Sequence, residues 1–401
     1  MFNPVLDGLP ENAFPRLAAL IAGVQPGGNS APILMSLGEP QHPVPAFIGE
    51  ILNARLAEYG KYPPIQGSDA FRAAVAAWLN RRYGLTRHPV RMDGHILPLN
   101  GTREGLFSIA FLVTPPKKNG RQPAVLMPNP FYQCYAGAAL AAGAEPVYLD
   151  APRETGFLPD LDALSPELLS RTALFYMCSP ANPQGSVADR DYLKRLVQLA
   201  RVHDFILAMD ECYSEIYTQS PPPGALQICS ELAADGDTEP FANVLVFHSL
   251  SKRSNLPGLR SGFVAGDTRL ISRFRNFRSY IGPTNPLPAD AAASAAWSDE
   301  AHVAENRRLY VQKFDAADEI LTGRFGYARP AGGFFLWLDV GDGEQAALKL
   351  WREAGVKVLP GKYLARGPVG DAYIRVALVG PLDETIEGLR RICGTLGIES
   401  K

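Results

Sequence analysis

Residues 173–213 read ALFYMCSPANPQGSVADRDYLKRLVQLARVHDFILAMDECY. An apolar run gives way to a turn held by two prolines and a glycine. An amphipathic helical stretch follows, then a second apolar run that ends at Asp210. Apolar runs of four to seven residues between amphipathic helices predict parallel strands covered on both faces. The pattern extends in both directions: HILPLN precedes REGLFSIAFLV, AVLMPNP precedes YAGAALAAG, and PVYLD, VLVFHSL and GFVAG are further short runs. The expected fold is α/β, a large domain with a mostly parallel sheet covered by helices plus a smaller α+β domain. Ligands of such sheets bind at the carboxyl ends of the strands.

Outside this region the signals are helical. AFIGEILNARLAEYG has apolar residues at helical spacing, and SDAFRAAVAAWLNRRYG reads as a helix capped by Ser68 and stopped by Gly84. A short amphipathic segment is expected around Arg16–Val24. After Pro288 comes a long helical stretch with one break near Asp299, then the strand-like GGFFLWLDV, VKVLPG and YIRVALV between further helices. The expected division is an arm at 1–45, a large domain at 46–288 and a small α+β domain at 289–401.

Bulk properties narrow the function. Of 401 residues, 46% are hydrophobic and 20% charged, with a net charge of −2, so no basic excess marks a nucleic-acid or membrane-surface protein. The five cysteines are scattered without a CxxC pair, and the six histidines lack metal-site spacing. Reduced thiols and no metal are therefore expected. The start of the chain, MFNPVLDGLPENAF, lacks the basic and apolar regions of a signal peptide, and no apolar run is long enough to span a bilayer. A cytoplasmic location is expected.

Polar residues at the predicted strand ends form a set. Gly101 and Thr102 precede a helix, where free backbone N–H groups can face an anion. Asn182 sits in the rigid turn SPANPQG. Asp210 ends a strand, with Tyr213 shortly after. In HSLSKRSNLPGLRSGF (248–263), Ser249 and Ser251 lie just before Lys252, and Arg260 follows. Each feature alone has an ordinary reading as an N-cap, a turn residue or a surface lysine. Together, a lysine, carboxylate, amide, phenol and phosphate cradle match one ligand, pyridoxal 5′-phosphate.

The chain resembles the class I/II aminotransferases, the aspartate-aminotransferase-like group of fold type I pyridoxal-phosphate enzymes. SLGEP, KYPPIQG, NGTREGL, PNPFYQCY, SPANPQG, DECYSEIY, HSLSKRSNLPGLRSGF, GGFFLWLD, VLPG and YIRVAL occur in the family's order over nearly the whole chain. The resemblance implies that Lys252 is the Schiff-base lysine, Asp210 the partner of the pyridine nitrogen, and Asn182 and Tyr213 donors to the ring hydroxyl. It makes Ser249 and Arg260 phosphate ligands with the backbone of Gly101, Thr102 and Arg103, and Tyr132 the aromatic stacked on the ring. Tyr62 would reach a neighbouring subunit's phosphate, which implies a homodimer with shared sites. Arg375 would grip the substrate α-carboxylate near Gly38, beside Asn182. The sequence departs from the family in NPQG for the usual NPTG, and in Tyr132 where many members have tryptophan.

MPNPFYQCYAGAAL, FHSLSKRSNLPGLRSGFVAGD, AAWSDEAHV and VLPGKYL further resemble proteobacterial succinyldiaminopimelate aminotransferases of lysine biosynthesis. That resemblance implies amino transfer between glutamate and N-succinyl-2-amino-6-oxopimelate, small-molecule amino and 2-oxo acids. Arg16, Arg253 and Arg278 are candidates for the distal carboxylates, with a surface or structural role the favoured reading of each. The alternatives are a broad aspartate, aromatic or alanine-type aminotransferase, a β-lyase or decarboxylase on the same scaffold, and the effector domain of a transcription regulator.

Overall fold

The computed structural model describes residues 4–9, 11–28, 31–282 and 285–397. The chain enters through an arm whose helix spans Ala13–Leu20. It starts earlier than the apolar spacing suggests because the Asn12 side chain accepts a hydrogen bond from Phe14 N and caps it. Strand β1 (Ile33–Leu34) follows. The helix Ala46–Ala54 then tightens into the 3₁₀ turn Leu56–Gly60, so the stretch expected as one helix is split. Helix Asp69–Tyr83 has the expected ends: Ser68 Oγ accepts from Phe71 N, and Gly84 closes it with a left-handed φ of 61°.

The large sheet is built from β2 (Ile96–Leu99), β3 (Ala124–Asn129), β4 (Glu145–Asp150), β5 (Thr172–Cys178), β6 (Ile206–Asp210), β7 (Val244–Ser249) and β8 (Gly262–Gly266). Their order is β2-β8-β7-β6-β5-β3-β4. The strands β3 to β7 pair in parallel, and β8 runs antiparallel to both neighbours. Every residue of β3, β5, β7 and β8 is buried. That is what helices on both faces require. One face packs against helices Asp69–Tyr83, Arg190–Val202, Ala225–Leu232 and Leu287–Ser298. The other packs against Thr102–Val113, Gln133–Ala141 and Thr268–Ile281.

The smaller body contains β9 (Phe335–Asp339), β10 (Val356–Lys357), β11 (Leu359–Pro360) and β12 (Tyr373–Ala377). The strands β11-β12-β9 form an antiparallel sheet, and β10 pairs in parallel with β1 of the arm. Helices Ala301–Leu321, Gly343–Ala354 and Leu382–Leu396 supply the rest of its core. Helix Leu287–Ser298 belongs by packing to the large body: Trp297 meets Trp78 with ring centroids 4.8 Å apart, and Ala292, Ala293 and Ala296 lie in the same core. We therefore place the division between the bodies between Ser298 and Ala301 rather than at 288. The extremes of the expected arm and small domain, 1–3 and 398–401, lie outside the described residues.

Candidate active site at the carboxyl ends of the large sheet

Adjacent strands β6 and β7 pair Asp210 with Phe247, so the segments that leave them start side by side. After β7 the chain makes a single helical turn, Leu250–Arg253. Ser249 caps it, its Oγ accepting from Ser251 N at 3.0 Å and lying 2.8 Å from Ser251 Oγ. Lys252 projects from this turn. Its Nζ donates to Gly38 O at 2.6 Å and sits 5.4 Å from the centre of the Phe334 ring. No carboxylate among the described residues lies within ion-pair distance. Burial pulls its pKa down to about 8. Arg375 and Arg103 add to this, while Cys212 and Glu39 oppose it.

Further along the same loop, Arg260 takes a left-handed backbone (φ 53°) and turns its guanidinium onto Asn100 O at 3.1 Å and Pro257 O at 2.8 Å. This brings it against Gly101, where any Cβ would strike the guanidinium and where φ is already +79°. The positive φ favours glycine there, and a larger residue would also displace the guanidinium. Thr102 begins the following helix, and its Oγ1 lies 3.1 Å from Cys212 Sγ.

Asp210 is 6% exposed. Burial raises its pKa. Hydrogen bonds from the Cys212 region and from Tyr135 oppose that shift, the Tyr135 hydroxyl donating to Oδ2 at 2.7 Å. Tyr135 is held by stacking on Tyr176, with centroids 4.5 Å apart and planes 8° from parallel. Tyr213 is buried edge-on against Phe334 and Phe335. Asn182 Oδ1 accepts from Arg375 Nη1 at 3.0 Å, and Arg375 Nη2 donates to Ser36 O at 2.7 Å. The Arg375 guanidinium lies 4.3 Å from the Phe335 ring centre, and its Nε has no partner among the described residues. Burial lowers its pKa to about 10, against the Tyr213 phenol, so it remains a cation at neutral pH. Gly38 must be glycine because a Cβ would meet the Phe335 ring at 2.5 Å.

A cleft of about 400 Å³ is lined by Gly38, Thr102, Tyr132, Ser249, Lys252 and Arg260, with Arg103, Cys212 and Glu39 among the rest. Arg103, Tyr132 and Arg260 also line a larger cavity of about 680 Å³, whose wall includes Asn182 and Arg375. Asp210 and Tyr213 stand on either side of Cys212, behind the cleft. Tyr62 is apart from all of these, 98% exposed. Arg253 is buried between Trp78 and Trp297 and bound to Ala296 O and Glu300, and buried Arg278 binds Glu104 and Pro98 O. Arg16 covers the Tyr363 ring, 4.0 Å from its centre. All three take the structural role favoured from sequence. Tyr135 and Cys212 were not foreseen. Tyr135 offered a signal only through its spacing from Tyr132, since its partner is distant in sequence.

The family description of the class I and class II aminotransferases matches residues 32–392. The chain belongs to this family. Aminotransferases of this family depend on pyridoxal 5′-phosphate. An aminotransferase from Neisseria meningitidis is 41% identical, with a TM-score of 0.91 over 98% of this chain and 99% of that one. An LL-diaminopimelate aminotransferase from Dehalococcoides mccartyi is 30% identical over 96% of this chain and 97% of its own length. A probable N-succinyldiaminopimelate aminotransferase from Thermus thermophilus is 26% identical, with a TM-score of 0.82, over 96% and 100% of the two chains.

The cleft fits the cofactor chemically. It offers a buried amine of lowered pKa, three hydroxyls at Thr102, Ser249 and Ser251, the Arg260 guanidinium, and a glycine that leaves space beside a helix start. An aldehyde bearing a phosphate meets each of these needs. No helix among the described residues is long and apolar enough to cross a membrane.

Proposed function

We propose that this aminotransferase exchanges the amino group between glutamate/2-oxoglutarate and N-succinyl-LL-2,6-diaminopimelate/N-succinyl-2-amino-6-oxopimelate in lysine biosynthesis. Bound pyridoxal phosphate supplies an aldehyde that takes up an amine and a ring that draws electrons from the substrate Cα. The chain's residues do the rest. Lys252 would hold the aldehyde, and its buried amine could then move the proton at the substrate Cα. Asp210 would keep the ring nitrogen protonated, and Asn182 and Tyr213 would donate to the ring hydroxyl. Ser249, Arg260 and the backbone of Gly101, Thr102 and Arg103 would take the phosphate, and Tyr132 would cover the ring. Arg375, with Gly38 and Asn182 beside it, takes the α-carboxylate in the two-pronged manner a guanidinium allows.

The observation that carries the substrate assignment is the 680 Å³ cavity beyond Arg375. It is roomy enough for a long acylated side chain, and it contains the Arg103 guanidinium and the Asn12 and Gln133 amides. Arg103 donates to the Tyr132 hydroxyl and makes no ion pair among the described residues, so it is available to a distal carboxylate. The relative named for LL-diaminopimelate supports a diaminopimelate-type substrate, and the one named for N-succinyldiaminopimelate supports the acylated form. Leu9, Phe14, Phe107, Leu359 and Leu364 make much of the same wall apolar, which favours as second reading a broad aminotransferase that accepts aromatic or alkyl side chains.

A donor panel assayed against 2-oxoglutarate separates the readings. Succinyldiaminopimelate should exceed aspartate, alanine and phenylalanine in kcat/KM, and Arg103→Gln should lower the value for succinyldiaminopimelate about tenfold more than it lowers the value for alanine. Phenylalanine as the best donor would establish the second reading, and release of ammonia with pyruvate would establish a β-lyase. We further place the enzyme in the cytoplasm, where its unpaired cysteines would stay reduced. We also infer a homodimer. Exposed Tyr62, and Phe107, Phe111, Tyr280 and Ile281 on the helices beside the cavity, suit an apolar contact with a second subunit.

A further inference from the structure

The turn that carries Lys252 is held from behind by the small body. Asn306 lies on helix Ala301–Leu321 and is 3% exposed. Its Nδ2 donates to the carbonyls of Lys252 and Arg253, each at 3.2 Å. These carbonyls end a single helical turn and lack helical donors, so a side-chain amide meets a real need. The start of the same helix also grips the neighbouring residues: Glu300 binds the Arg253 guanidinium at 2.8 Å, and His302 Nε2 lies 2.8 Å from Ser254 Oγ.

Asn306 is in turn oriented by His42. With Nδ2 committed to two carbonyls, Asn306 presents Oδ1 to His42 Nδ1 at 2.7 Å. That oxygen can only accept, so Nδ1 carries the hydrogen. The other ring nitrogen, Nε2, is then the acceptor, and it receives Lys313 Nζ at 2.7 Å. Lys313 is 2% exposed and has no carboxylate in ion-pair range among the described residues. Burial lowers the pKa of both groups, Lys313 to about 8, so a neutral imidazole in this tautomer is the stable form. The His42 ring packs on Tyr310, centroids 4.5 Å apart. His42 also shares its loop with Gly38, whose carbonyl takes Lys252 Nζ. The loop therefore reaches Lys252 twice, at the amine through Gly38 and at the main chain through Asn306.

We propose that His42 is a positioning residue for Lys252: seated by Lys313, it fixes the Asn306 amide that holds the Lys252 carbonyl, so that the Gly38 loop, the small-body helix and the lysine turn form one rigid strut. The proposal rests on Lys252 being the residue that captures pyridoxal phosphate.

The test follows covalent capture of pyridoxal phosphate by the full-length apo-protein, by absorbance and by mass after borohydride reduction. An asparagine at 42 places its amide near the position of Nδ1 and can still donate to Asn306. A glutamine reaches toward Nε2 and cannot. His42→Asn should stay within about twofold of the parent rate, whereas His42→Gln and His42→Ala should capture about tenfold more slowly, as a displaced reacting group does. KM for the amino donor should stay the same in all three. Equal capture rates for Asn, Gln and the parent would overturn the strut, and so would equal slowing of Asn and Gln. The Asn/Gln pair decides the matter even where His42→Ala fails to fold. Failure of the parent protein to attach the cofactor at Lys252 would instead sink the underlying site assignment, a separate result.

Discussion

The floor of the cleft and its outer wall are built on different principles. The floor is the end of the large sheet. Asp210 and the turn bearing Lys252 leave adjacent strands of the sheet interior, and their positions follow from β-sheet register. The wall is assembled from the arm, the Gly38 loop, the small sheet and the large-body helices Thr102–Val113 and Gln133–Ala141, which meet only in the folded chain. Arg375 shows this: it comes from β12, yet it is held by Asn182 of the large body and Ser36 of the segment after the arm. The floor is suited to chemistry that every substrate shares, and the wall to choosing among substrates.

This contrast can be broken by mutation. The largest effect is expected at the floor: Lys252→Ala should abolish cofactor capture and lower turnover by at least about 10⁴-fold, as loss of a group that acts covalently does. Normal turnover in that variant would remove the floor's claim to the chemistry. At the wall, Arg375→Ala should lower kcat/KM for every donor by about 10²–10³-fold through lost charged hydrogen bonds to the α-carboxylate, without loss of bound cofactor. Cofactor loss in this variant would mean that floor and wall are not separable. Tyr135→Phe keeps the ring stack on Tyr176 but deletes the hydrogen bond to Asp210. It should lower kcat about tenfold with KM little changed, because the carboxylate loses a donor that stabilises its charge. A pure KM effect would reassign Tyr135 to binding.

The smallest effect concerns pH. Lys252 in the apo-protein has its pKa lowered to about 8 by burial, so its neutral amine becomes available as pH rises through that value rather than through the ordinary lysine range. Capture of pyridoxal phosphate should climb about tenfold per pH unit below 8 and level off above it. The same shift makes apo-protein stability rise with pH between about 8 and the unfolded lysine value, because the unfolded chain binds the extra proton there. A capture profile still climbing well above pH 9 would show an amine that is solvated rather than buried.

Much of the floor was legible from sequence because strand periodicity places the residue after each apolar run at the sheet edge. Asp210 and Ser249 close such runs, Asn182 and Lys252 lie in the turns just beyond them, and Gly101 and Thr102 are readable from their place before a helix. The helix 287–298 was misplaced because its alanine-rich sequence has no preference between bodies, and only the packing of Trp297 on Trp78 assigns it. Tyr135, His42 and Asn306 were invisible for a related reason. Their partners lie 75, 264 and 54 residues away, and nothing local marks a residue as half of so distant a hydrogen bond.

Taken by itself, the amino-acid order determined the layered α/β architecture and the chemical inventory at the strand ends, because both arise from short-range periodicity and from which residue closes each apolar run. Only the tertiary structure decided which arginines line the cavity, which are locked in ion pairs, and how the arm and small body close over the lysine. Those outcomes depend on burial and on contacts between distant segments, and the free energies that select them exist only once the chain has packed.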